Sequence, residues 1–367
     1  MTAEELTSKA LSRATLARQM LLAREKTTAV KAIERLAGLQ AQVPRPPFIG
    51  LWSRLAKFRP EDLTRLVHDR KVVRATMMRG TLHIVSTADY LVLRPALQPM
   101  LSAGMQGVLG ARAEGLDLDA LARAARVCLD EKPRTFEEIR GVLREQWPKA
   151  DERAMGYAVR THLPLVQVPT ETVWGWPSAA CFAAAQTWIG KAVAGEGDPR
   201  ELVLRYLTAF GPASAADAQT WSGLRRLKET FEALRPKLRV FRDERGRELF
   251  DLPKAPRPSE DTKAPVRFLP EYDNLLLAHA DRSRVIEDDH RKRIVTANLR
   301  VLATYLVEGR VAGTWKIERA KASAALVLEA FVSVSKKTRA ELVEEGTALL
   351  RFAESDARTL EVRLGGL

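Results

Sequence analysis

The chain has 367 residues, with 59 Lys+Arg against 46 Asp+Glu for a formal net charge of +13, and 46% hydrophobic and 29% charged residues. That apolar content excludes a disordered polycation, and the length allows two or three domain-sized units. Two cysteines, Cys128 and Cys181, exclude a disulfide framework and a paired-cysteine zinc site. No apolar stretch approaches the length of a membrane span, and Glu4 and Glu5 stand where a signal sequence would be apolar, so the expected setting is the reducing cytoplasm. A positive balance of this size suits an acidic partner. Nucleic acid is the commonest, an anionic membrane surface or ribosome are alternatives, and solubility alone is the plainest reading.

In chain order, one grammar recurs: helix, helix, helix, then two short strands joined by a turn. The first copy, within residues 1–112, has helices predicted at 12–24, 27–39 and 60–69, then strands at 72–76 and 81–86 flanking Met77-Met78-Arg79-Gly80. The second, within 113–197, is the clearest. Leu118, Leu121, Ala125 and Leu129 have helical spacing, Thr135 and Glu138 form a capping box, and Asp151 caps a helix ending at His162. Strands at 165–169 and 172–176 are expected around Thr170-Glu171. The third copy, within 198–258, has helices at 201–210, 215–221 and 224–234, then a polar hairpin whose strands flank Asp243-Glu244-Arg245-Gly246. This order of elements is that of a winged helix. The proline-rich stretch 253–258 ends the repeats. Residues 259–367 turn mainly to strands, at 311–317, 326–334 and 360–364, with a helix near 337–352, which a small β-barrel or sheet would bury.

The chain has no GxSxG elbow, HExxH, P-loop or GxGxxG fingerprint, and its five histidines lack metal-ligand spacing. His162 reads as a packed helix residue. The conspicuous segment is Gly38-Leu39-Gln40-Ala41-Gln42-Val43-Pro44, where Pro44 forbids helix continuation and Gln40 is expected at the helix end with Gln42 in the exit turn. A carboxamide offers one acceptor and two donors but no useful pKa, so it orients a water or a base edge and removes no proton. Spacing alone also allows both glutamines simply to cap the last turn.

Gln40-Ala41-Gln42 with Pro44, Arg79-Gly80-Thr81-Leu82-His83, Pro270-Glu271-Tyr272-Asp273-Asn274 and Gly309-Arg310-Val311-Ala312-Gly313-Thr314-Trp315 occur here in one order, and that set resembles the AlkZ-like winged-helix DNA glycosylases of bacteria. The resemblance implies an α+β fold of three tandem winged helices plus a C-terminal β-barrel, arranged as a C-shaped clamp on duplex DNA. It implies a monomer that hydrolyses the N-glycosidic bond of bulky N7-alkylated purines, crosslinks included, with no metal or cofactor. Gln40 and Gln42 match the family's two catalytic glutamines. A sister branch has aspartate at the second position, so Gln42 places the chain with the branch typified by self-resistance to DNA-damaging natural products.

The amides suit that chemistry. An N7-alkylated guanine already carries positive charge and leaves without much acid, while the developing sugar oxocarbenium ion needs negative partial charge and a placed water. Gln42 is assigned to hold the water, and Gln40 to orient it or stabilise the sugar cation. A bulky adduct need not flip into a pocket, and no aromatic stacking box is evident near Gln40 in the sequence. The DNA-contacting candidates are Arg79, Thr81 and His83 at the first hairpin, Arg225 and Arg226 in the basic run 225–245, and Arg282 and Arg284 in the loop at 279–284. Solvated helix faces and a packed His83 are the alternative readings of these. Two rival functions use the same features: a non-catalytic winged-helix regulator reading base edges, and a protein that sequesters the drug itself.

Overall fold

Side-chain caps set most helix starts in this protein, whose computed structural model describes residues 4–177, 179–193 and 195–365. After strand β1 (Glu4–Leu6), Thr7 caps α1 (Ser8–Arg18) and Thr28 caps α2 (Ala29–Arg35), each hydroxyl accepting a backbone N–H of the first turn. α2 stops sooner than the expected 27–39 because Ala37 and Gly38 enter the left-handed region, at φ 55° and 87°. The Gly38 N–H closes on the Ile33 carbonyl at 2.9 Å, and a Cβ there would fall 2.7 Å from Val85 Cγ1, so only glycine fits. The chain therefore leaves as strand β2 (Leu39–Gln40). Gln40, expected in the last helical turn, lies on that strand instead.

The first segment continues through α3 (Pro46–Trp52), α4 (Pro60–His68), β3 (Val72–Thr76) and β4 (Leu82–Ser86), then α5 (Thr87–Ala96) and α6 (Gln98–Leu109). α3 and the last two helices are additions to the expected grammar, although Ser86 caps α5 in the ordinary way. In the second segment α7 (Leu118–Glu131), α8 (Phe136–Gln146) and α9 (Glu152–His162) follow the expected order, and the Thr135 N–H donates to Glu138 Oε2 at 2.7 Å in the anticipated capping box. The hairpin differs. β5 (Leu165–Gln167) pairs with β6 (Phe182–Ala184), while 172–176 forms a turn closed by Thr170 N–H to the Gly175 carbonyl at 2.8 Å. Gly175 at φ 77° makes that turn, which breaks the strand alternation expected around Thr170-Glu171.

After α10 (Ala185–Ile189), the third segment is built as expected from α11 (Pro199–Phe210), α12 (Ala215–Ser222), α13 (Leu227–Leu234) and the antiparallel hairpin β7 (Arg239–Asp243) and β8 (Glu248–Asp251). β1 adds to β7 in parallel, so the start of the described chain joins its third segment. The remaining elements are β9 (Arg267–Leu269), α14 (Asp288–Ile294), β10 (Thr304–Val307), β11 (Arg310–Ala320), β12 (Ser323–Ala330), α15 (Lys336–Ala353) and β13 (Thr359–Gly365). They form an open sheet of order β13-β12-β11-β10-β9, and no closed barrel occurs among the described residues. The reason is the β12–α15–β13 crossover, which makes β13 parallel to β12 and seats Leu349, Leu350 and Gly346 of α15 against the sheet. The helix covers the face that barrel closure would otherwise bury.

A five-stranded sheet of order β2-β4-β3-β5-β6 joins the first two segments. Its apolar face shares one core with the third segment, in which Val73, Val85 and Val166 pack with Leu207, Phe210 and Trp221. Buried ion pairs tie the remaining pieces together. Arg18 grips Asp251 at 2.7 and 2.8 Å, and Arg54 grips Asp273 at 2.9 and 2.8 Å, all four side chains essentially inaccessible. Removing one partner of such a pair strands a buried charge and costs about 3–5 kcal/mol. Beside Asp273, Asn274 donates to the Gly38 carbonyl at 2.7 Å. The 270–274 motif thus braces the turn that delivers Gln40. Among the described residues, no helix is long and apolar enough to cross a membrane.

Candidate active site

β2 is an edge strand whose register pairs Gln40 with His83 of β4, and the Ala41 N–H continues the ladder to the Leu82 carbonyl at 2.7 Å. Gln40 is 8% exposed, whereas Gln42 beyond the strand end is exposed. Their amides are oriented by groups that only donate. Gln40 Oε1 accepts from Arg79 Nη2 at 2.7 Å, and Gln42 Oε1 accepts a long bond from the Leu82 N–H at 3.3 Å. A guanidinium has no acceptor, so Gln40 must turn its oxygen to Arg79 and its NH2 elsewhere. The NH2 group finds no protein partner among the described residues.

Arg79 has backbone φ 56° and spans two segments: its other terminal nitrogen donates to the carbonyl of Trp221 in the last turn of α12. Gly223, at φ 82°, permits the approach, since a Cβ there would lie 3.3 Å from Arg79 Cα and 2.9 Å from Met100 Cγ. Burial, then repulsion from Arg282, pushes the Arg79 guanidinium down to about 10, so it remains charged at neutral pH.

Arg74 on β3 holds the same loop from beneath. Its Nε donates to the Ala41 carbonyl at 2.9 Å and its Nη2 to the Gln42 carbonyl at 3.3 Å, while its guanidinium carbon lies 5.3 Å from the centre of the Trp176 ring. The side chain is 4% exposed, has no carboxylate partner among the described residues, and burial pushes it down to about 10. A buried cation is costly without compensation. Here the compensation comes from two peptide carbonyls and an indole face, all belonging to the glutamine loop or to the second segment's turn.

His83 is fully buried. Its Nδ1 lies 3.1 Å from the Thr81 carbonyl, which only accepts, so Nδ1 carries the hydrogen and Nε2 is an acceptor with no partner among the described residues. The Thr81 hydroxyl donates to the Met78 carbonyl at 3.1 Å. Burial, reinforced by Arg79, pushes His83 down to about 3, and burial with Arg284 does the same to His279. Between about 3 and the ordinary value of 6.5 the unfolded chain binds the protons that the folded chain refuses, so stability falls as pH drops through that window and is insensitive to these groups above it. Denaturant titrations from pH 7 to 4 should show a loss of up to about 1.4 kcal/mol per pH unit for each histidine, and His83→Gln should make the slope shallower.

The basic candidates separate by their partners. Arg235 is paired with Glu232 and Glu248, Arg239 with Glu4 and Arg245 with Asp281. Arg225 and Arg226 are exposed, have no carboxylate partner among the described residues, and line a cleft of about 1040 Å³ together with Arg79. Arg282 is half-buried, its Nε donating to the His279 carbonyl at 3.1 Å. Arg284 is buried rather than solvent-facing: it is 4% exposed, with Nη1 donating to the Pro212 carbonyl at 3.0 Å and to the Thr15 hydroxyl at 3.4 Å, because the loop after His279 folds back between α1 and the turn that precedes α12. The paired change Arg225→Ala with Arg226→Ala should weaken duplex binding regardless of sequence. It should also flatten the plot of log affinity against log salt by roughly one unit for each phosphate left without its arginine, measured by fluorescence anisotropy.

Sequence reasoning missed Arg74 and the nearby Trp176, and it named Asn274 only as part of the 270–274 motif, without a role. For Arg74 a signal existed, since a lone arginine interrupts the apolar run Val72-Val73-Arg74-Ala75 of a predicted strand. Trp176 comes from the second segment, and only the sheet brings it under the loop. The family model described as DNA glycosylase AlkZ-like matches residues 33–352. A Streptomyces sahachiroi protein named interstrand DNA cross-link repair glycosylase is 24% identical over 334 residues, covering 82% of this chain and 85% of that protein. The solved structure of Streptomyces sahachiroi DNA glycosylase AlkZ is similar with a TM-score of 0.77 at 20% identity, covering 98% of this chain and 100% of that one.

Proposed function

The chain belongs to the DNA glycosylase AlkZ-like family, and from that premise we propose that this DNA glycosylase hydrolyses the N-glycosidic bond of bulky N7-alkylated purines in duplex DNA. Unhooking of interstrand crosslinks, in repair or in self-resistance to an alkylating natural product, is the setting this reading favours. One observation carries it: two carboxamides two residues apart, one buried and locked by a guanidinium, the other exposed on a loop whose carbonyls are clamped from below. A base-reading regulator has no use for that arrangement.

The lock divides the two roles. The Gln40 oxygen is committed to Arg79, and a charged guanidinium beside it opposes a sugar cation, so Gln40 serves the water through its free NH2 rather than stabilising the cation. Gln42 keeps an acceptor lone pair open to solvent and holds the attacking water. The water oxygen bonds to C1′ as the C1′–N9 pair leaves with the purine and cancels its positive charge. The proton released goes to solvent, since neither amide takes it. The helical segments within 1–112, 113–197 and 198–258 serve in this reading as winged-helix units by which a monomer embraces the duplex, with 259–367 completing the clamp.

The test is to incubate the protein with duplex carrying one N7-alkylguanine, treat with alkali, and resolve the strands. Cleavage at the lesion is expected. Tight duplex binding without cleavage for adducts of several sizes would instead favour the regulator, and affinity for the free alkylating agent without release of modified base would favour sequestration.

A further inference from the structure

Directly after Gln42 the chain borders a cleft that the hydrolytic step does not use. Val43 opens it with 41% of its surface exposed, and Ile49 of α3, Tyr272, and Trp315 and Ile317 of β11 continue its walls around a volume of about 580 Å³. That size suits a drug-sized ligand and greatly exceeds what a methylated base requires. Its walls are set in advance. The Trp315 indole N–H donates to the carbonyls of Leu269 and Thr304, each at 2.9 Å, and Tyr272 is fixed at φ 59° with its N–H on the Val301 carbonyl at 3.2 Å.

The charges around this cleft are neutralised. Arg45 pairs with Glu354 at 2.6 Å, Lys316 with Glu318 at 2.7 Å, and Arg300 with Glu271. A phosphate would therefore meet no uncompensated cation, in contrast to the cleft lined by Arg225 and Arg226. What remains is apolar and aromatic surface that begins at Val43, the chain neighbour of the residue assigned to the water.

Resting on the function proposed above, we infer that this cleft is a subsite for the group appended to the purine: a neutral, planar, largely apolar ring system on the N7 substituent. The base is presented to Gln42, while its appendage lies between Val43 and Ile49 on one side and Tyr272 and Ile317 on the other. Area buried there orients the lesion and favours bulky adducts over methylated bases.

The experiment compares single-turnover excision from two duplexes of one sequence, bearing either N7-methylguanine or guanine with a naphthylmethyl group at N7. Wild type is set beside Tyr272→Ala, which removes a wall, and Ile317→Trp, which fills the space; melting temperatures verify folding. The ratio of naphthylmethyl to methyl rates should fall about tenfold or more in both variants. An unchanged ratio in a folded variant overturns the subsite, as does equal loss on both lesions or a wild type that excises only the methylated base. A wild type that releases neither base overturns the proposed reaction itself, and the subsite with it.

Discussion

Gln42→Ala should lose excision of N7-alkylguanine by about 10²–10³-fold, the usual cost of removing one group aimed at developing charge, while duplex binding and the melting temperature barely change. The residue is exposed and its one side-chain bond among the described residues, from the Leu82 N–H at 3.3 Å, is long, so truncation should cost stability no more than about 0.5 kcal/mol. Single-turnover kinetics at saturating enzyme isolate the chemical step, and anisotropy on the same duplex reports binding. Gln42→Asp should recover more activity than alanine, because a carboxylate retains the acceptor that holds the water. Wild-type excision by the alanine variant would refute the assignment of Gln42. A parallel loss of binding would place the residue in lesion recognition instead.

Arg74→Met is expected to produce the second large effect, by a different route. The guanidinium touches no part of the lesion in this reading; it fixes the Ala41 and Gln42 carbonyls and hence the backbone from which Gln42 projects. A displacement of about 1 Å in a placed group is enough for a loss on the order of 10²-fold. Stability should suffer less than two charge-assisted bonds would imply, at about 1.5–3 kcal/mol each, because the substitution also relieves the desolvation of a buried cation that has no carboxylate. The expected signature is therefore a fall in the single-turnover rate out of proportion to the fall in melting temperature, with affinity for undamaged duplex unchanged. Arg74→Lys keeps the charge but not the fork, so it should reach one carbonyl and recover the rate only in part. A rate that tracks melting temperature across both variants would reduce Arg74 to a structural role.

Parts of this site are legible in the sequence because their physics is local. Pro44 and Gly38 bound the glutamine segment whatever surrounds it, Thr135 and Glu138 find each other within one helical turn, and the third segment's elements appear where periodicity and caps place them. Expectation and structure part where distant chain decides the outcome. Periodicity puts Gln40 at a helix end, but β4 is there to pair with it, and a strand two residues long exists only because a partner is present. Alternation around Thr170 suggests a second hairpin, yet β5 finds its partners in β3 and in 182–184. The C-terminal strands are recognisable one by one, but whether their sheet closes depends on where α15 packs.

The +13 charge divides along the same line. Composition alone establishes an excess of cations, which suits an acidic partner, since Coulombic attraction depends on the total and its sign. It does not establish which cations remain for that partner. Arg13, Arg18, Arg54, Arg74, Arg94, Arg267 and Arg284 are buried and committed to carbonyls and carboxylates inside the protein, whereas Arg225 and Arg226 are exposed at a cleft and find no carboxylate among the described residues. Sequence likewise determined that two glutamines stand two residues apart beside a proline. Only the tertiary structure decided that Arg79 would lock one of them and Arg74 would clamp the loop of the other, because an amide acquires a direction only from donors that folding carries to it from elsewhere in the chain.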